Sequence, residues 1–169
     1  DEKLALYRLS QDVGALEKSS DYFDMAEALI VEGFPAEGRR VIEAGVAAKV
    51  FTPEEENRVQ RTLASAEKEL AKQSAATAAA AKSVAAGTSG EDMYQAGRLY
   101  FGQGNYPKAV EALRKGLAKG GVSNADDANM LLGIALARTN RNSDANKAFT
   151  QVKDPKLAEI ARVWALHAS

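Results

Sequence analysis

Few residues of this sequence have the chemistry of a catalytic group. His167, two residues from the C-terminus, is the only histidine, and there is no cysteine. The absence of cysteine excludes a thiolate nucleophile, a disulfide and a cysteine-based metal site. A single histidine with no nucleophile motif elsewhere in the chain does not make a Ser-His-Asp set. We therefore interpret His167 as part of a packed terminal helix.

Three further stretches imitate binding motifs without completing them. Gly102-Gln103-Gly104 begins a G-x-G pattern, but it follows a predicted helix and lacks the third glycine of a dinucleotide site. Glu54, Glu55 and Glu56 would point in different directions on a helix, so they would not share a metal ion. Their negative charges instead suit the positive end of the helix dipole at the N-terminus. The stretch 140–144 lacks the glycine and the closing glutamate of a calcium loop. We expect no enzymatic activity, no cofactor and no metal.

The composition favours a helical protein. The 169 residues are 46% apolar but only 7% aromatic, and alanine is abundant. This composition suits close-packed helices, and no convincing alternating strand segment is present. The net charge is −1, and neither end forms the dense basic stripe of a nucleic-acid-binding protein. No apolar run approaches the ~20 residues needed to span a bilayer.

The cellular location is a separate expectation. The sequence opens with Asp1-Glu2-Lys3 instead of methionine, which a removed signal peptide would explain, as would truncation. The absence of cysteine suits a bacterial periplasm, where stray thiols are a hazard, and also a reducing cytosol. We favour an exported, periplasmic protein, with a cytoplasmic protein as the alternative.

The most distinctive pattern lies in the second half of the chain. Gly97 and Tyr100 precede a turn at Gly104-Asn105-Tyr106, and Ala109 and Leu113 follow it. This spacing predicts two helices whose backbones approach closely at Gly97 and Ala109, while Tyr100 and Leu113 fill the space between them. The pattern resembles the tetratricopeptide repeat (TPR), a helix pair of about 34 residues. Met93, Ala96 and Gly121 stand where that family usually has Trp, Leu and Pro.

Two other stretches resemble the same repeat. A degenerate version runs from Tyr22 to Val50, with a turn at Gly33 and small and large residues in the same order: Ala26, Leu29, Gly38, Ile42 and Gly45. A further version runs from Leu132 to Phe149, with Gly133, Leu136 and Ala145 at matching places and its turn at 140–142. The resemblance therefore covers residues 19–52 and 90–169.

The last predicted helix begins at Asp154-Pro155, which cuts the preceding helix short. Asp154 is a suitable N-cap and Pro155 suits the first helical position. Leu157, Ile160, Ala161, Trp164 and His167 fall on one side of it. We expect this helix to cap the repeat array, with Trp164 buried over Leu136 and Phe149.

The remaining segments are also predicted to be helical. Residues 2–17 form a helix with Leu6, Leu9, Val13 and Leu16 as its apolar stripe. Thr52-Pro53-Glu54-Glu55 is a strong helix start, and that helix continues at least to Ala71. Three interpretations stay open for the Ala-rich residues 72–86: a second, narrow helix, a continuation of the helix that precedes them, or a flexible linker.

Together these segments predict an all-α protein of stacked, antiparallel TPR-like helix pairs, an α-solenoid with a C-terminal capping helix. Residues 1–52 hold the N-terminal helix and the degenerate helix pair. Residues 53–89 form the connecting helix or helices, including the Ala-rich segment, and residues 90–169 hold two repeats and the capping helix. The resemblance implies a non-enzymatic scaffold or adaptor that binds a peptide or protein segment in a concave groove.

The resemblance also implies which side chains face that groove. They are Glu91, Tyr94, Arg98 and Phe101 in one repeat and Asp127, Met130, Ile134 and Ala137 in the next. We expect Tyr94, Arg98, Phe101, Met130 and Ile134 to bind the partner. A single cation, Arg98, does not suit an acidic peptide tail. The alternative is a self-associating helical element, whose groove is filled by its own chain, the Ala-rich segment for example, or by a second copy in a homodimer.

Overall fold

The computed structural model describes residues 2–168, and within that range the fold is all-α, with helices joined by turns and no strand, as predicted. The nine helices are α1 (Glu2–Asp12), α2 (Ser19–Val31), α3 (Pro35–Ala47), α4 (Glu56–Ala86), α5 (Gly90–Gly102), α6 (Tyr106–Lys119), α7 (Ala125–Ala137), α8 (Asn142–Phe149) and α9 (Pro155–His167), with a 3₁₀ turn at Pro53–Glu55 before α4. Over these residues no helix combines the length and apolar character needed to cross a membrane.

Three pairs of consecutive helices pack together across short turns: α2 with α3, α5 with α6, and α7 with α8. Close contact in the second pair depends on Gly97, because a Cβ there would lie 2.6 Å from Cγ and Cδ2 of Leu113. In the third pair, a Cβ at Gly133 would overlap the ring of Phe149. The predicted contacts at Gly97 and Gly133 are therefore confirmed.

Helix α4 is a single helix of 31 residues, which resolves the alternatives for the Ala-rich segment in favour of a continuation. The backbone N–H of Thr52 donates to the Glu55 carboxylate at 2.9 Å, as expected of a capping box, and a 3₁₀ turn leads into the helix. Gly87, with φ +62°, ends it. The first part of α4 packs on α2 and α3, and the Ala-rich part lies beside α5.

The prediction for the N-terminal helix is wrong in length and in buried face. Helix α1 ends at Asp12 because Gly14 takes a left-handed conformation, with φ +72°, and the N–H of Ala15 turns back to Ser10 O. Its buried side chains are those of Leu4, Ala5 and Arg8, whereas Leu6 and Val13 of the predicted stripe are about half exposed. Leu9 and Leu16 of that stripe are partly buried against the core, whereas Val13 lies beyond the end of the helix and Leu6 lies outside its buried face.

The helices share one hydrophobic core that extends from Leu4 in α1 to Trp164 in α9. Trp164 is fully buried and stacks on Phe149 at a centroid distance of 6.3 Å, as the capping prediction required. Helix α9 does not form a free end, however, because α1 packs against it. Helix α1 also packs against α2. The first helix of the chain therefore covers the last.

Candidate interaction surface

Helix α1 lies on a surface to which distant parts of the chain contribute. Its residues contact Phe34 and Glu37 at the start of α3, Phe101 in α5, Arg138 directly after α7, and Trp164 in α9. We call this the α1-binding surface. It joins the first helix pair to the last helix, so it exists only once the whole chain has folded.

Arg8 occupies the centre of this surface, in what we call the arginine pocket, formed by Phe34, Glu37 and Phe101. Its Nε lies 3.0 Å and 3.2 Å from the two Glu37 carboxylate oxygens, and its Nη2 donates to Oε2 at 2.7 Å. The guanidinium carbon lies 4.6 Å from the ring centroid of Phe34 and 4.8 Å from that of Phe101. A planar cation is thus paired with a carboxylate and contacts two aromatic rings, an arrangement that suits arginine better than lysine.

The charge of Glu37 is stabilised inside the protein. Both Arg8 and Glu37 are only 3% exposed. Burial by itself would raise the pKa of Glu37, but the charge and hydrogen bonds of Arg8, with Arg138 and Arg40 nearby, outweigh burial and lower the pKa below its usual value. Glu37 also lies in the first turn of α3, where the helix dipole favours an anion. The carboxylate is therefore held ionised and needs a cationic partner.

Arg138 provides a second link between α1 and the rest of the chain. Its Nη2 donates to Asp12 at 2.7 Å, at the end of α1, and its Nη1 donates to the Tyr106 hydroxyl at 2.8 Å and lies 3.6 Å from Glu37. A polar cleft of about 290 Å³, which these residues line together with Gln11 and Arg40, opens beside the arginine pocket. The part of the α1-binding surface beside the C-terminal end of α1 is therefore open to solvent.

A third contact fixes the start of α1. The indole Nε1 of Trp164 donates a hydrogen bond of 3.0 Å to the backbone carbonyl of Ala5. Buried indole N–H groups need such a partner. Because a helix carbonyl near the N-terminus normally accepts a bond within its own helix, this bond is additional and orients α1 on α9.

The five residues predicted to bind a partner lie in or next to the core. Tyr94, Phe101, Met130 and Ile134 are all at most 3% exposed, so they present almost no surface in this conformation. Phe101 forms one wall of the arginine pocket, beneath α1. Arg98 is partly exposed and its guanidinium carbon lies 4.7 Å from the ring centroid of Phe34. Partner binding by these residues stays a prediction, and for the buried four it requires that covering helices move.

Arg98 is already engaged within the chain. It donates to Asp127 at 2.8 Å, to the Tyr94 hydroxyl at 3.2 Å and to the Glu32 carbonyl at 3.0 Å. Tyr94 also donates to Asp127 at 2.7 Å, and burial, followed by the charge of Asp127, raises the pKa of Tyr94. Three of the side chains predicted to face the groove therefore form one polar network that joins α5 to α7.

The most important site residues, Arg8 and Glu37, were missed by the sequence analysis. They are 29 positions apart, and each is of a type that is almost never fully buried unless paired. The only local sign is the spacing of Leu4, Ala5 and Arg8, which places an arginine on the same helix face as two apolar residues.

In the part of the chain that the structure describes, neither His167 nor Glu55 takes part in a group of side chains that could perform catalysis. His167 is exposed at the end of α9 with its ring edge towards Trp164, at a centroid distance of 5.8 Å. Glu55 completes the capping box of the 3₁₀ turn before α4 and accepts a hydrogen bond from the Ser19 hydroxyl at 2.8 Å. Among residues 2–168, no group of three acidic or histidine side chains is placed to hold a metal ion.

No protein-family profile, curated protein or solved structure matches this chain. The TPR resemblance therefore rests on the sequence pattern alone, and any function must be inferred from the geometry of the α1-binding surface.

Proposed function

We propose that this chain is a non-enzymatic, TPR-like protein-interaction scaffold, and that α1 occupies its binding surface in the absence of a partner. The observation that carries the proposal is the placement of α1, a helix of 11 residues held on the surface mainly by Leu4, Ala5 and Arg8. A surface that accepts one short amphipathic helix is suited to accept another. The partner is a protein segment, and neither nucleic acid nor a cofactor is part of the proposal.

The contacts of α1 favour exchange with a partner. Only two apolar side chains of the helix are fully buried, Tyr7 and Leu9 are partly buried, and Leu6 is 49% exposed. At ~0.8 kcal/mol per buried methylene, so small an apolar face contributes only a few kcal/mol. Part of the remaining attraction is polar, from Arg8 and Asp12, and polar contacts can be replaced by equivalent contacts from another chain. In this proposal a partner displaces α1, with Leu4 and Ala5, from the shared core while the other helices stay packed.

An affinity capture from the native organism tests the proposal. The bait is Arg8→Ala, in which Glu37 loses its main partner and α1 binds less tightly. The matched control is Lys3→Ala, which removes an exposed cation from the same helix. We expect Arg8→Ala to retain a protein that wild type and Lys3→Ala retain more weakly. Equal retention by all three baits, or by none, contradicts the proposal.

A second candidate is a structural element whose surface is permanently filled by its own α1 or by that of a second copy. The nearly complete burial of Arg8 and Glu37 favours this candidate. It predicts that Arg8→Ala is destabilised without gaining a partner. Light scattering across a range of concentrations separates its two forms, since a monomer at every concentration excludes the second copy.

A periplasmic location in a bacterium is a further part of the proposal, supported by the absence of cysteine from the sequence. Fractionation of the native organism tests it. Recovery of the protein with periplasmic markers is expected, and recovery with cytoplasmic markers would overturn this part alone.

A further inference from the structure

The arginine pocket combines three features that select for one kind of side chain. Glu37 supplies two acceptor oxygens at the positions where a guanidinium presents parallel N–H groups. Phe34 and Phe101 lie 6.3 Å apart with their rings inclined at 74°, and the guanidinium contacts both. An ammonium group would match the charge but could neither form the fork of hydrogen bonds nor stack on the rings.

The surroundings of the pocket define the helix that carries this arginine. Ala5, three residues before Arg8, is 2% exposed, and its carbonyl receives the Trp164 indole N–H. Asp12, four residues after Arg8, pairs with Arg138. All three positions fall on one side of a helix. In α1 the surface therefore holds a small residue, an arginine three positions later and a carboxylate four positions after that.

We propose that the arginine pocket is the specificity site for an external partner: an amphipathic helix of another protein that presents small-x-x-Arg-x-x-x-Asp/Glu and displaces α1. The inference rests on the proposed scaffold function and adds the chemistry of the ligand. Two observations on the surface identify this occupant. A helix with that pattern is already seated there, and the buried carboxylate of Glu37 requires a cation in any complex that excludes water.

Binding of synthetic peptides to the 169-residue chain tests this inference. The probe is a fluorescein-labelled peptide with the sequence of residues 2–17, and its matched versions carry Arg8→Lys or Arg8→Ala. The acceptor is the 169-residue Arg8→Ala chain, in which the pocket has lost its internal guanidinium. Fluorescence anisotropy gives the affinity, and emission from Trp164, the only tryptophan, reports whether the peptide reaches the same surface.

We expect the arginine peptide to bind the Arg8→Ala chain roughly tenfold or more tightly than the lysine or alanine peptide, from the usual strength of charge-assisted hydrogen bonds. Wild-type chain should bind it more weakly than Arg8→Ala, because α1 competes. The double variant Arg8→Ala/Glu37→Gln should lose the preference for arginine. If Arg8→Ala does not fold, Arg8→Lys replaces it as acceptor, because its ammonium still pairs with Glu37 but does not fill the pocket.

Three results would overturn the inference. These are absence of binding to either acceptor, equal binding of the three peptides, and a preference for arginine that survives Glu37→Gln. A concentration-dependent dimer of the wild-type chain, with α1 exchanged between copies, would assign the pocket to self-association and exclude the external partner. If instead affinity capture retains a protein but the peptides show no arginine preference, the scaffold function stands and only the arginine chemistry is wrong.

Discussion

The indole nitrogen of Trp164 donates a hydrogen bond to the backbone carbonyl of Ala5, which lies 159 positions earlier in the chain. This bond connects the last helix to the first. Together with the pairs Arg8–Glu37 and Arg138–Asp12, it holds α1 on a surface that the rest of the protein completes. The surface that would bind a partner is therefore occupied from within.

The burial of Trp164 gives a stability prediction. The ring is 0% exposed and stacks on Phe149, so Trp164→Ala should cost ~3–5 kcal/mol of unfolding free energy. Trp164→Phe keeps most of the apolar volume but loses the bond to Ala5, and it should cost less. Urea unfolding followed by circular dichroism measures both variants. Emission of wild-type Trp164 at the wavelength of a water-exposed indole would contradict this account of α9.

The ionised Glu37 gives a prediction about acid. Its pKa is lower in the folded protein than its usual value of 4.5. Below about pH 4.5 the Glu37 carboxylate is therefore protonated in the unfolded chain while it is still ionised in the folded chain. The stability contributed by Glu37 is therefore complete above that pH and is lost as the pH falls through the folded pKa. Arg8, Arg138 and Arg40 are the charges that face it.

The measurement is the free energy of unfolding of wild type and Glu37→Gln between pH 7 and pH 3. The difference between them should be largest near neutrality and shrink below about pH 4.5. Glu159→Gln, at an exposed position of α9, serves as the control for the loss of one carboxylate at the surface. A difference that stays constant, or that grows on acidification, would mean that Glu37 is not held ionised.

Close packing at Gly97 gives a third prediction. Any Cβ there must displace Leu113, whose side-chain atoms would lie 2.6 Å away, and Gly97→Val adds two methyl groups to that clash. Overpacking of this kind typically costs ~1–3 kcal/mol. Ala118→Val, on the exposed face of α6, measures the effect of a β-branched residue in a helix without the clash. If the two variants melt at the same temperature, helices α5 and α6 do not approach as described.

The continuity of α4 gives a fourth prediction. Ala78 is exposed in the middle of the Ala-rich part of that helix, so substitutions there act through the backbone. Ala78→Gly should cost ~1 kcal/mol and Ala78→Pro ~3 kcal/mol or more, with a loss of helical circular dichroism for the proline variant. In a flexible linker both substitutions would leave the stability and the helix content unchanged.

The helix pairs were predictable because their signals are local. Gly97 and Leu113 are 16 positions apart on either side of one turn, so their spacing alone reports that two helices approach closely. The start of α9 was predictable for the same reason, since the Asp154 carboxylate accepts from the N–H groups of Lys156 and Leu157.

The placement of α1 was not predictable, because nothing near it in sequence records its neighbours. Leu6 has helical spacing and apolar character, yet it stays exposed because α1 packs on α9 and α2 through the face that carries Leu4, Ala5 and Arg8. Val13 stays exposed because α1 has already ended at Asp12. Arg8 is buried only because Glu37 and two phenylalanines surround it, and those residues come together through the fold of the whole chain. The same cause hid the full burial of Phe101, a residue that the TPR resemblance implies faces the groove.

The central claim, that α1 occupies the binding surface, is tested most directly by the indole N–H signal of Trp164 in a ¹⁵N-resolved NMR spectrum, where a single tryptophan gives a single resonance. In the wild-type chain we predict slow exchange of this proton with water and nuclear Overhauser contacts to Ala5 and its neighbours in α1. In Arg8→Ala the exchange should be faster and the contacts weaker. Exchange as fast as that of free indole, with no contact to α1 in the wild-type chain, would contradict the claim.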